Sequence, residues 1–136
     1  MLDLEDIEKN TGNIVQKLLA NERNINGEKI RFQKGDILYS KLRPYLLKIL
    51  IADDDGICSP ELIPFKMIGG INPCFVLWVL RSPHVDYTIN AATYGVKMPR
   101  VSTETMLNLM IPLPPIEEQH RIVERLDALL PLCEKL

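Results

Sequence analysis

Three closely spaced prolines constrain this chain more than any other feature. Pro112, Pro114 and Pro115 stand in Ile111-Pro-Leu-Pro-Pro-Ile116, and an amphipathic segment follows at once. Proline fixes φ and lacks an N–H, so no helix runs through this stretch, but one can start where it ends. A helix is predicted from Pro115, with Glu117 and Glu118 in the first turn, where the helix dipole favours acids. Ile116, Gln119, Val123, Leu126, Leu130 and Cys133 recur at spacings of 3, 4, 3, 4 and 3, and Ile122, Leu129 and Leu136 form an adjoining column. The resulting stripe is wider than a two-stranded coiled-coil seam. It predicts a protruding helix whose Ile116, Val123, Leu126 and Leu130 meet a partner helix. Pro131 is expected to remove one hydrogen bond and kink the helix near its end.

Upstream, the pattern changes from helical to strand-like. Residues 1–8 read as a strand or as a short turn-rich segment, and Thr11-Gly-Asn13 is a turn signal. Residues 14–22 place Ile14, Val15, Leu18 and Leu19 on one helical side, before a second turn at Asn24 to Gly27. Arg31 to Ser40 predicts two strands about a Lys34-Gly35-Asp36 turn. Leu46 to Ala52 suits a buried strand closed by Asp53-Asp-Asp-Gly56, and Glu61 to Ile68 suits a further strand. Pro60 and Pro64 favour a sheet edge for that last strand. Pro73 after Asn72, and Pro83 after Ser82, open two helices, the second running to about Ala92. Ser102-Thr-Glu-Thr105 is a partial capping box, and Leu109-Met-Ile111 reads as a short strand.

At 136 residues, 46% of them hydrophobic, the chain suits one soluble domain with a real core. No apolar run is long enough to span a membrane, and the acidic start is unlike a signal peptide. Cys58, Cys74 and Cys133 are odd in number and form no Cys-x-x-Cys. They read as reduced thiols of a cytoplasmic protein, mostly filling core space. His84 and His120 lie apart from other ligand pairs, so no metal site and no cofactor are expected.

Catalytic motifs are missing. No acid stands two residues before any lysine, so the acid-x-Lys half of a nuclease site is absent. Asp53-Asp54-Asp55 reads as a solvated turn rather than a cation site. Asn72-Pro-Cys-Phe75 superficially resembles methyltransferase motifs, yet no glycine-rich cofactor loop accompanies it. Pro73 as first helical residue and Cys74 as core filler explain it better.

Net charge is −2 with a pI near 5.7, which disfavours a general nucleic-acid binder. The charge is uneven, however. Residues 22–48 carry Arg23, Lys29, Arg31, Lys34, Lys41, Arg43 and Lys48 against Glu22, Glu28 and Asp36. A second basic stretch is Tyr94-Gly-Val-Lys-Met-Pro-Arg-Val101. Gly95 permits unusual backbone angles and Pro99 stiffens the chain before Arg100. Lys97 and Arg100 can reach phosphates, and arginine can also bridge guanine O6 and N7. Lys41-Leu-Arg43-Pro-Tyr45 is a similar basic edge. The plainer reading of both is ordinary solvated surface charge.

Taken in order, these segments resemble the DNA-specificity domain of type I restriction–modification specificity subunits. The matching stretches are Leu2 to Ile7 with Thr11-Gly12, Gly35 to Leu46, Ser59-Pro-Glu61, Leu77 to Pro83, Gly95 to Ser102, and Ile111 to Gln119 through Arg121-Ile-Val-Glu124. The resemblance implies a target-recognition domain that reads one part of a bipartite site on double-stranded DNA. Helices set the spacing between parts and dock methyltransferase subunits. Methylation and cleavage fall to methyltransferase and restriction partner subunits, so the chain itself is expected to be non-catalytic. Against the family pattern the chain looks N-terminally incomplete, its helix is short for a spacer, and Met98 replaces a second basic residue.

The expected fold is α+β: a twisted, mostly antiparallel sheet with short helices and a C-terminal amphipathic spacer helix. Residues 1–114 would form the recognition domain and 115–136 a spacer or dimerisation helix. Tyr94, Gly95, Lys97 and Arg100, with Lys41 and Arg43, would contact DNA. A homodimer through the C-terminal helix is expected by analogy with the family's paired helices. Two other readings stay open: an assembly module that docks methyltransferase subunits without reading DNA, and a catalytic nuclease or methyltransferase.

Overall fold

The computed structural model describes residues 1–16 and 29–133. Most of the expected helix over 14–22, and the turn at Asn24 to Gly27, lie outside these residues. Among the described residues the strands are β1 (Ile30–Phe32), β2 (Ile37–Ser40), β3 (Ile49–Ile51), β4 (Gly56–Cys58) and β5 (Leu62–Phe65). The helices are α1 (Pro73–Leu80), α2 (Pro83–Ala91), α3 (Thr103–Leu107) and α4 (Ile116–Cys133). Every pairing between these strands is antiparallel, though the bridge from Leu2 to Cys58 is parallel, and the strands form two sheets, ordered β3-β2-β5 and β1-β4. The Lys34-Gly35 turn therefore passes the chain from one sheet to the other instead of closing a hairpin.

β2 is central and buried on both faces, which is why it reads as an unbroken apolar run. Its alternate residues serve two cores. Ile37 and Tyr39 pack with Ile49, Ile63 and the helix residues Phe75, Val76, Leu80, Val85 and Ile89. Leu38 points the other way, to Leu50, Leu62, Phe32, Cys58 and the N-terminal Leu2 and Ile7. The three-stranded sheet thus sits between a helical layer and the small β1-β4 ribbon. Burial of Tyr39, aided by the charge of Asp86, holds its phenol well above its usual range. Pro64 lies opposite Leu38 on edge strand β5, where its missing donor does no harm.

The capping signals hold. The Asn72 side chain accepts from the Cys74 N–H, Ser82 from Val85 and Ser102 from Thr105, with Pro73 and Pro83 opening their helices. Residues 1–8 hold a short 3-10 turn over Leu4–Asp6, flanked by single bridges from Leu2 to Cys58 and Ile7 to Ile14. Gly12 fits where no side chain can. Its φ is +75°, and a Cβ there would lie 1.9 Å from the Ile49 carbonyl oxygen. Arg81, at the end of α1, donates to the carbonyls of Asn10 and Ile49, tying the N-terminal segment to the helical layer. Its guanidinium pKa is lowered by burial.

Three expectations need correction. Leu109 to Ile111 belongs to no strand; Leu109 and Ile111 pack against the core from a connecting segment. Only Cys58 is buried, whereas Cys74 and Cys133 are exposed. Cys74 follows the α1 cap on the solvent side, while Phe75 and Val76 take the inner face. Finally, α4 does not protrude over its described length. Gln119 near its start bonds to Asn72 at the start of α1, and Leu130 and Cys133 line a groove with Leu77, Trp78 and Arg81 at the end of α1. The two helices therefore run side by side in the same direction. The helix continues through Pro131 to Cys133.

A buried amide fixes where α4 begins. Gln119 is 1% exposed, its Oε1 accepts from the Asn72 N–H at 2.9 Å, and its Nε2 donates to the Pro114 carbonyl at 2.9 Å. Both ends of the side chain are satisfied, as a buried amide requires.

Candidate nucleic-acid interface

The two basic stretches, nearly fifty residues apart in sequence, meet at one end of the central sheet. The β2–β5 register, ending at Ser40 opposite Leu62, carries on as a bond from the Lys41 N–H to the Glu61 carbonyl at 2.8 Å. On the other side of the same segment, the Val101 N–H donates to the Lys41 carbonyl at 2.9 Å and the Arg43 N–H to the Pro99 carbonyl at 2.6 Å. Leu42 thereby bridges Arg100. Val101 is fully buried and anchors this root in the core.

From that root residues 94–100 stand out as a closed hairpin. Tyr94 and Arg100 exchange both backbone hydrogen bonds at 3.0 Å. Gly95 turns the chain with φ +93°, and a Cβ there would press to 3.2 Å on the Met98 carbonyl oxygen. Arg43 adopts the left-handed conformation (φ 47°), and its Nη2 donates to the Lys97 carbonyl at 3.3 Å, propping the hairpin from beneath.

The expected site residues thus divide by what holds them. Arg100 Nη2 lies 2.7 Å from Glu61 Oε1, so its charge is partly engaged within the protein. Arg43 is half-buried against the hairpin backbone, with its Nε enclosed and unpaired. Lys41 Nζ reaches Thr103 Oγ1 at 3.4 Å, a long contact that leaves the ammonium accessible. Lys97 and Tyr94 are exposed on the hairpin. Sequence reasoning assigned no role to Glu61 or Thr103. The prolyl turn at Ser59-Pro60-Glu61 marks the bend, but only the β2–β5 register puts its carboxylate beside Arg100.

The expected partner-helix residues divide as well. Val123 packs against the domain's own core, with Ile122 beside it. Leu126 and Leu130 are half-buried, and Ile116 is exposed. Leu129 and Leu132 are also exposed, so the outward apolar face of α4 lies one position round from the anticipated seam.

Among the described residues no group of three or more His, Cys, Asp or Glu is placed to hold a metal. Among them also, no helix is long and apolar enough to cross a membrane.

A family model for the type I restriction modification DNA specificity domain matches residues 8–135. The chain belongs to this family. It is 34% identical over 116 residues to the type I restriction enzyme EcoDI specificity subunit of Escherichia coli, covering 85% of the chain and 26% of that protein. It is 30% identical over 112 residues to the MjaVIII specificity subunit of Methanocaldococcus jannaschii, covering 75% of the chain and 26% of that protein. The fold superposes on the crystal structure of the HsdS subunit from Thermoanaerobacter tengcongensis with a TM-score of 0.82, at 27% identity, over 98% of this chain and 36% of that one. A chain from a structural study of complex assembly and conformational transition in the type I R-M system gives 0.84 at 28% identity, again over 98% and 36%. The chain therefore spans roughly a quarter to a third of its relatives' lengths.

Proposed function

We propose that this chain recognises a specific DNA sequence as one target-recognition unit of a type I restriction–modification specificity subunit. Residues 1–114 form the reading domain, and 115–136 contribute spacer helix. The observation that carries this reading is the backbone pairing of Leu42 with Arg100, which gathers Lys41, Arg43, Lys97 and Arg100 on one face of a neutral domain. A local basic face suits a polyanion even where net charge is slightly negative. Lys97 and Lys41 contact phosphates, while Arg43 and Arg100 chiefly hold the hairpin that presents base-reading groups. Gly95 supplies the turn and Tyr94 an exposed ring.

The partners in this reading are double-stranded DNA and the methyltransferase and restriction subunits, in the cytoplasm. The exposed apolar face of α4, with Leu129 and Leu132, pairs with a second helix, in a homodimer of this chain or in a longer specificity subunit. That same face supports a second reading, in which the chain docks methyltransferase subunits and reads no DNA.

Selection from a randomised duplex pool, with and without a type I methyltransferase subunit, tests the choice. Enrichment of one short sequence supports recognition. Methyltransferase binding without enrichment supports docking alone.

A further inference from the structure

The tip of the 94–100 hairpin is both cationic and apolar. Between Asp86 and Glu104 the chain carries no acid, so Lys97 sets the charge of the tip, while at the root Arg100 is paired with Glu61, and Lys41 and Arg43 lie alongside. Tyr94, Val96 and Met98, at alternate positions, are 59%, 97% and 54% exposed. One bare apolar side chain on a surface needs no explanation. Three within five residues are different when the loop is pinned by the Tyr94–Arg100 bonds and by Arg43 on the Lys97 carbonyl. Val96 is the most exposed of the three, and its β-branch leaves it little rotamer freedom.

The charge complementarity names the occupant, and the shape names the groove. Residues 94–100 form a loop closed by the single Tyr94–Arg100 pair, and a closed loop two chains across suits the DNA major groove, about 12 Å wide, rather than the minor groove, about 6 Å wide. The apolar feature displayed there is the C5-methyl group of thymine. We infer that Val96 is a specificity-determining residue that contacts a thymine C5-methyl group in the major groove, an inference that rests on the DNA-recognition reading above. Lys97, next in the chain, takes the flanking phosphate, and Met98 and Tyr94 border the contact.

Replacing thymine by uracil, one position at a time in the selected duplex, removes only that methyl group. The scan is run against the wild-type chain and against Val96→Ala, with thermal midpoints confirming that both are folded. One thymine is expected to stand out. Its replacement weakens the wild type about fourfold, the worth of one buried CH2-sized group, and leaves Val96→Ala unaffected. Val96→Thr, which keeps a methyl on the same branch, retains part of the dependence. Selective binding with losses that add at every thymine, or with no loss at any, overturns the role of Val96 and leaves DNA recognition standing. Failure to select any sequence overturns both.

Discussion

Arg100 and Glu61 form an ion pair of 2.7 Å between the hairpin root and the turn that precedes β5. The pair converts a residue that sequence alone would send to DNA into one that also aligns the loop. Both side chains are partly exposed, so the pair contributes at most about 1 kcal/mol to stability. Arg100→Ala should lower the thermal midpoint by about 3 °C at most. Combined with Glu61→Ala, it should show a non-additive loss of sequence-selective binding. Strictly additive losses would mean that the two residues act separately.

Lys97 has no such tie on its side chain. Lys97→Ala should leave the thermal midpoint unchanged, weaken binding to all sequences alike, and reduce the slope of log K against log salt by about one. An unchanged slope would remove Lys97 from the phosphate contacts.

Two glycines with left-handed backbones should differ sharply. Gly12→Ala meets both an unfavourable φ and the Ile49 carbonyl 1.9 Å away, and should cost about 1–3 kcal/mol beyond the φ cost alone. Gly35→Ala has φ +92° but nothing within 4 Å, and should cost only about 1–2 kcal/mol. Denaturant midpoints of the two variants measure the difference, and equal losses would contradict the close approach at Gly12.

Gln119→Leu keeps size but strands the Asn72 N–H and the Pro114 carbonyl. Each unpaired buried group costs about 1–3 kcal/mol. Stability should fall by about 2 kcal/mol or more, and hydrogen exchange should quicken at the start of α4. A neutral substitution would mean that the amide does not seat the helix.

Burial, with Asp3 adding to it, pushes the Cys58 thiol up to about 11 from an ordinary 9.0. The unfolded chain then loses this proton first. Stability from Cys58 is full below pH 9 and is lost as pH rises toward about 11. A thiol reagent at neutral pH should modify the exposed Cys74 and Cys133 and reach Cys58 only on unfolding. Rapid labelling of all three in the folded chain would contradict the burial.

What was legible in the sequence was what local chemistry decides. Asn72, Ser82 and Ser102 cap helices because their side chains suit orphan N–H groups, and Pro73, Pro83 and Pro115 mark starts because they lack a donor. The stripe on α4 announces an apolar face, but periodicity does not say which neighbour covers it, and Val123 packs inward on the domain's own core. Gln119 looked like a member of that stripe, and only its bonds to Asn72 and Pro114 show it as a buried clasp. Leu109 and Ile111 have strand character, but their side chains pack against the core from a connecting segment that joins no strand. The site was legible as two basic segments, but not as one face. Their meeting depends on the Leu42–Arg100 bridge, a contact between residues far apart in the chain.

The most direct test of the central claim compares Kd for the selected duplex and for a duplex of identical composition with the selected positions scrambled, at one fixed salt concentration. Each lost base contact is worth about 1–3 kcal/mol, so disrupting two read positions should weaken binding by at least about 30-fold. Equal affinity for the two duplexes would contradict the account.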